Sequence, residues 1–310
     1  MKLCAVSVDL DEVPCYHAIH GLPLPGDESA HAVYRTAVPR LSALFTELGI
    51  PATFFVIGRD LTDAGARAAA RDLARAGHEL GNHSQHHRYD LVRLDRDAIR
   101  AEVRDAGEAI AAVAGEAPVG FRAPGYTITD AVFGVLRAEG YRYDSSVFPC
   151  PAYYGAKAAA IGLIAARGRT SRSIVDHPAV LTAPADPYFP GGPYWRRADS
   201  PSGLIEMPIG VTRGARLPFI GTTLSLLGPS LSGLLARQMV GRPFINLELH
   251  GLDLLQADDG LGALSPHQGD LRIPVERKAN ALRAVVETLR RAGYGFVTLR
   301  DAAAAFAPAP

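Results

Sequence analysis

Two rhythms of apolar residues alternate along the first part of this chain. Short β-branched and aromatic runs, Leu3 to Val8 and Ala52 to Ile57, read as buried strands. Between them the spacing becomes helical: Tyr34, Val38, Leu41, Leu44, Phe45 and Leu48 share one face, and Gly49 stops the helix. An Ala- and Arg-rich helix from about Leu61 to Ala76 stops at Gly77, and His78 to Asn82 follows as a short strand. Ile99, Val103, Ile110 and Val113 mark a helix ending at Gly115, ahead of a strand near Val119 to Arg122. Val132, Val135 and Leu136 lead in the same way to Tyr141-Arg142-Tyr143. Phe244 to Leu249, a helix with Leu282, Val285, Val286 and Leu289 that ends at Gly293, and Phe296 to Leu299 close the series.

Repeated strand–helix units predict an α/β fold around a parallel sheet. No glycine-rich phosphate loop follows any strand, so a (β/α) barrel of about seven strands fits better than an open sheet, within one domain over 1–310. From about 150 to 240 the alternation lapses and Pro, Gly, Arg and aromatics dominate, which reads as an irregular insertion carrying one strand, Leu204 to Ile209. Its aromatic run, Tyr188 to Trp195, reads as packed loop rather than a sugar-stacking surface. Leu217 to Ala236 is uncharged, but Gly221, Gly228 and Pro229 interrupt it, so it reads as buried wall beside a site rather than a membrane span.

With 48% hydrophobic residues in 310, the chain can bury a large core. Lys+Arg and Asp+Glu both number 32, so there is no basic footprint and nucleic acid is excluded as a partner. The three cysteines lack metal or redox spacing. Asp9, Asp11 and Glu12 interrupt the first apolar run before it reaches signal length, so the expectation is a cytoplasmic enzyme, with peripheral membrane contact left open.

The chemistry gathers at predicted strand ends, where a barrel places its site: Asp9-Leu10-Asp11, His83, Arg122, Asp144 and His250. His83 and His87 are four apart, a spacing that on a helical turn aims both imidazoles at one metal, although His86 could compete with His87. Strand alternation sends Asp9 and Asp11 to one side. A carboxylate joining two imidazoles leaves positions open for water, the layout of catalytic zinc; cobalt, nickel, manganese or iron would also bind, with zinc the default.

With these residues in place the chain resembles the polysaccharide deacetylase family, also called the NodB homology domain or carbohydrate esterase family four. Five ordered motifs carry the resemblance: Ser7-Val8-Asp9-Leu10-Asp11, Gly81-Asn82-His83-Ser84-Gln85-His86-His87, Phe121-Arg122-Ala123-Pro124-Gly125-Tyr126, Tyr143-Asp144-Ser145-Ser146 and Leu247-Glu248-Leu249-His250. The resemblance implies a deformed barrel in which Asp11, His83 and His87 hold a divalent metal and Asp9 is the general base. It further implies that Arg122 orients Asp9, His250 protonates the leaving amine, Asp144 holds the His250 imidazole, and the backbone N–H of Tyr126 faces the oxyanion. The implied reaction is hydrolysis of a non-peptide C–N bond, foremost the N-acetyl group of an amino sugar or glycan, whether free, nucleotide-linked or lipid-linked. Two features depart from the pattern. Leu10 separates the aspartates, a spacing that resembles an Asp-x-Asp branch including cyclic amide, imide and ureide hydrolases, which stand as the alternative. The usual tryptophan of the fourth motif is missing, and Phe148 or Trp195 is expected to supply its apolar wall. An inert glycan- or protein-binding scaffold is the third reading. Asp253 receives no role, and the oligomeric state is not legible.

Overall fold

The computed structural model describes residues 2–201 and 203–307; Met1, Ser202 and 308–310, which the expected domain includes, lie outside the described residues. Eight strands form one sheet: β1 (Leu3–Asp9), β2 (Thr53–Val56), β3 (Glu79–Asn82), β4 (Gly120–Phe121), β5 (Tyr143–Asp144), β6 (Ile205–Glu206), β7 (Phe244–His250) and β8 (Gly295–Phe296). They run in the order β6-β5-β4-β3-β2-β1-β7, with β8 beside the start of β1, and every ladder is parallel. Beyond β6 the chain reaches β7 through single contacts, Gly210 N–H to the Asn246 carbonyl at 2.8 Å and Asn246 Nδ2 to the Met207 carbonyl at 3.2 Å, which nearly close the barrel.

Helices α1 (Val13–His20), α2 (Asp27–Ala30), α3 (Val38–Leu48), α4 (Ala64–Arg75), α5 (Arg96–Ala114), α6 (Asp130–Ala138), α7 (Pro151–Ala166), α8 (Gly221–Met239), α9 (Val275–Arg291) and α10 (Leu299–Phe306) fill the connections. The long amphipathic ones bury the stripes the spacing predicts: Leu41, Leu44 and Phe45 of α3, Ile99, Val103 and Ile110 of α5, Leu282, Val285 and Leu289 of α9. The stretch from about 150 to 240 is more regular than expected, since it contains α7, β6 and α8. Leu217 to Ala236 is mostly α8, kinked at Gly228-Pro229, with Leu226, Leu231 and Leu234 exposed; only its start, through Ile220 and Thr222, borders the site. Among the described residues no helix is long and apolar enough to cross a membrane.

Alternation along β1 sets the layers. Cys4, Val6 and Val8 face the surrounding helices, while Leu3 and Ala5 face the barrel floor with Phe244, Phe55 and residues of α10. Above that floor the interior turns polar: Ser7 Oγ donates to Asn246 Oδ1 at 2.9 Å, and Tyr143 Oη donates to Glu79 Oε1 at 2.9 Å. The register aligns the strand ends, pairing Asp9 with both Phe55 and His250, Asn82 with Phe121, Phe121 with Asp144, and Asp144 with Glu206. Residues distant in sequence therefore meet in one ring at the C-terminal mouth.

Candidate active site

Asp11 sits just past β1 and is 6% exposed. Its Oδ1 lies 3.1 Å from His83 Nε2 and 3.1 Å from His87 Nε2. None of these three buried atoms has a hydrogen-bond partner, an arrangement that is costly unless something positive sits among them. Ligand bonds of about 2.0–2.2 Å at tetrahedral angles would place such atoms about 3.3 Å apart, so the three fit a small divalent cation. His83 Nδ1 is 2.7 Å from the Arg122 carbonyl, which fixes the proton there and leaves Nε2 free as a lone-pair donor. Burial alone would raise the Asp11 carboxyl, but His87 and His83 hold it well below its usual range. Of the two imidazoles, burial lowers that of His87, whereas Asp9 and Asp11 lift that of His83 against the same burial.

The two histidines do not converge through a helical turn, as their spacing suggested. Ser84 and His87 adopt left-handed backbone, φ 63° and 52°, and a tight loop forms in which His87 N–H donates to Ser84 Oγ and Ser84 N–H to Asn82 Oδ1. The same loop turns His86 outward onto Glu102 at 2.7 Å, which removes it from competition.

Arg122 is fully buried beneath the site. Nη1 donates to Asp9 Oδ1 at 2.7 Å, Nη2 to Ser7 Oγ and Ser145 Oγ, and Nε to the Ser145 carbonyl, while the guanidinium lies 4.3 Å from the Phe55 ring centroid. Asp9 Oδ2 remains, 3.8 Å from His83 Nε2. Across the mouth, His250 Nε2 is 3.2 Å from Tyr126 Oη, and Nδ1 is 3.0 Å from Glu248 Oε1. Burial opposes charge on this imidazole, but Glu248, with Asp11 and Asp9, outweighs it and raises the pKa well above the ordinary value.

Two expected roles are overturned. Asp144 does not hold His250: its carboxylate accepts from Ser146 N–H and Ser146 Oγ and faces Glu206, its register partner. Burial pushes Asp144 up to about 6, and burial together with Asp144 pushes Glu206 well above its usual range. Glu248 stands at His250 instead, and period-2 alternation in Asn246-Leu247-Glu248-Leu249-His250 was the signal for it. Nor does the Tyr126 N–H face the cavity; it donates to the Ala123 carbonyl at 3.0 Å. Trp195 stacks on His177 outside the site and Phe148 packs behind Tyr126 and Tyr153, so Tyr16, Tyr89, Tyr126 and Tyr153 form the aromatic walls. Asp253 accepts His250 N–H at 2.8 Å, and burial, with Asp270 nearby, pushes it up to about 7.

These groups open into a cavity of about 240 Å³. A second cavity, about 270 Å³, is bordered by Val13, Leu22 and Leu264 and has no carboxylate in its lining.

Against known proteins, the profile of the family described as polysaccharide deacetylase matches residues 27–143. A peptidoglycan deacetylase from Helicobacter pylori is 27% identical over 150 residues, 47% of this chain and 49% of that one, so the match spans about half of the curated relative. A solved structure from Mycobacterium smegmatis, assigned to the polysaccharide deacetylases, superposes over 98% of this chain and 90% of its own, with a TM-score of 0.57 and 21% identity. A solved peptidoglycan N-acetylglucosamine deacetylase covers 96% of this chain and 86% of its own, with a TM-score of 0.50 and 13% identity. At such identities the structures show a common fold. Over residues 27–143 the chain is thus similar in sequence to the polysaccharide deacetylases, and over nearly its whole length it shares their fold.

Proposed function

We propose that the protein is a metal-dependent hydrolase that removes the N-acetyl group of an amino sugar or glycan. The observation that carries this reading is the convergence of three unpartnered buried ligand atoms, on Asp11, His83 and His87, beside a carboxylate locked to Arg122 and an imidazole locked to Glu248. A divalent ion held there, zinc by default, supplies Lewis-acid chemistry, polarising the amide carbonyl and acidifying water.

The remaining work falls to the chain. Asp9, kept oriented by Arg122, takes the proton of the attacking water through Oδ2. His250, held in its charged form by Glu248, gives its Nε2 proton to the nitrogen as the C–N bond breaks, releasing acetate and a free amine. The tyrosine walls exclude water and present flat faces to a sugar ring. The relative from Helicobacter pylori, a peptidoglycan deacetylase, supports the substrate class.

The compact cavity also suits a small cyclic amide, imide or ureide, which is the second reading. A cytoplasmic place of action and a lipid-linked substrate belong to the same proposal, and fractionation of cells checks the first.

The test is acetate release from a panel of N-acetyl amino sugars and small cyclic amides, after metal stripping and addition of zinc or cobalt. Metal should restore turnover in the wild type and not in His83→Ala. Turnover confined to cyclic amides would transfer the protein to the second reading. A wild type that neither binds metal nor hydrolyses any amide would leave an inert binding scaffold.

A further inference from the structure

From Ser145 to Val175 the chain contains no acidic residue, yet it carries Lys157, Arg167, Arg169 and Arg172. This stretch, α7 and the strap that follows it, gives Tyr153, Lys157 and Ser173 to the lining of the cavity. Lys157 is the one charged residue of α7 and is turned inward, donating to the Gly125 carbonyl at 2.9 Å and lying 5.6 Å from the Tyr153 ring centroid. Both side chains line the cavity that holds Asp9, Asp11 and His250. The strap then crosses to α1, where Arg172 N–H donates to the Ala18 carbonyl at 3.2 Å, and it contributes Ser173 to the lining. Arg167 and Arg172 are exposed along it, and Arg169 is half-buried.

The other ions of the cavity are matched. Asp9 has Arg122, Asp11 has the two histidines, Asp270 has Lys278 at 3.8 Å, and Asp253 accepts from His250 N–H. Lys157 forms no ion pair among the described residues, and the carboxylate that acts on it from a distance, Asp176, is occupied by Tyr194 Oη and His177 N–H. Burial pushes this amine down to about 8. A half-buried ammonium with no counterion, inside the cavity and on the stretch that continues into the three strap arginines, lacks an anion that a ligand can bring.

We propose that the substrate is an N-acylated amino sugar bearing an anionic group, which Lys157 receives inside the cavity and the strap arginines attract to its mouth. Phosphate is the class that fits best, because arginine forks match phosphate oxygens and a neutral sugar would use neither feature. The sugar part of this inference rests on the deacetylase reading; the anion site is measured without it.

The experiment is calorimetric binding of glucosamine 1-phosphate and of glucosamine to the zinc-loaded wild type, Lys157→Met and Lys157→Arg, with thermal melts as the check on folding. The phosphorylated amine should bind the wild type at least tenfold more tightly than the neutral one. That ratio should fall to near one in Lys157→Met and persist in Lys157→Arg. Equal binding by the wild type, or a preference that survives in Lys157→Met, overturns the proposal. Acetate release from N-acetylglucosamine and its 1-phosphate reports separately on the reaction. Binding preference without acetate would sink the deacetylase and keep the anion site, whereas acetate without preference would do the reverse. Uridine-diphosphate-linked and polyprenyl-diphosphate-linked N-acetylglucosamine, run in parallel, distinguish a soluble from a lipid-borne source of the phosphate.

Discussion

Glu248 and His250 are one strand period apart on β7, so both side chains leave the same face of the wall. The carboxylate raises the imidazole pKa, and its removal must lower it. In Glu248→Gln the basic limb of kcat/KM against pH should therefore move to lower pH by about one unit or more, with a loss of roughly 10- to 100-fold at the optimum. A reduced rate with an unmoved limb would make Glu248 a packing residue and refute its hold on His250. At this scale the ordered motifs bring Asp9, Asp11, His83, His87, Arg122 and His250 to one mouth, since strand ends and short loops leave them few other places. The partners of those residues were harder to read. Asp144 and Glu248 are both strand carboxylates, and only the register, which gives Asp144 to Glu206, distinguishes their assignments.

Helices that end on glycine were legible because the reason is local. Gly49, Gly115 and Gly293 all lie at positive φ, where a residue without Cβ is least strained. Asp95 at the start of α5 accepts Ala98 N–H at 2.8 Å, and Asp95→Ala should cost about 1 kcal/mol in a urea melt. Helix α7 was not legible, since its residues are apolar nearly all round while only Tyr154 and Ile164 are buried, so no stripe at helical spacing marks it. Strands β4, β5 and β6 fall in or overlap the expected stretches near Val119 to Arg122, Tyr141 to Tyr143 and Leu204 to Ile209, but each is only two residues long, so it was their extent that the sequence did not show. Helix α8 was hidden by Gly228-Pro229, which reads as a break. Gly228 has φ 73° and ψ 178°, a region nearly restricted to glycine, and an added Cβ would lie 2.6 Å from the Arg277 guanidinium. Gly228→Ala should therefore cost about 1–3 kcal/mol, whereas Gly233→Ala, in the same helix with only an ordinary contact to Thr288, should be neutral or better. Equal losses at the two positions would show that the kink is not what Gly228 provides.

Across the whole molecule, carboxyls buried near the mouth share one electrostatic consequence. Burial pushes Asp253 up to about 7, and Asp144 and Asp176 up to about 6. Each binds its proton more readily folded than unfolded. The stability they contribute is complete below the ordinary carboxylate range near 4 and is lost as pH rises through 6 to 7. Thermal melts of metal-free protein should show Asp253→Asn gaining on the wild type between pH 5 and 8, by an amount on the order of a few kcal/mol at most. A constant difference across that range would mean Asp253 is already ionised at pH 5. The same global arrangement separates two kinds of information along the chain. The groups proposed to carry the hydrolysis come from β1, β3, β4 and β7 and their ends, whereas Tyr153, Lys157 and Ser173 come from the single stretch between β5 and β6, which supplies none of those groups. Related barrels could thus trade that one stretch and acquire a new diet while keeping the same cutting edge, so divergence in this lineage should be concentrated there and grafting it should move substrate choice without rebuilding catalysis.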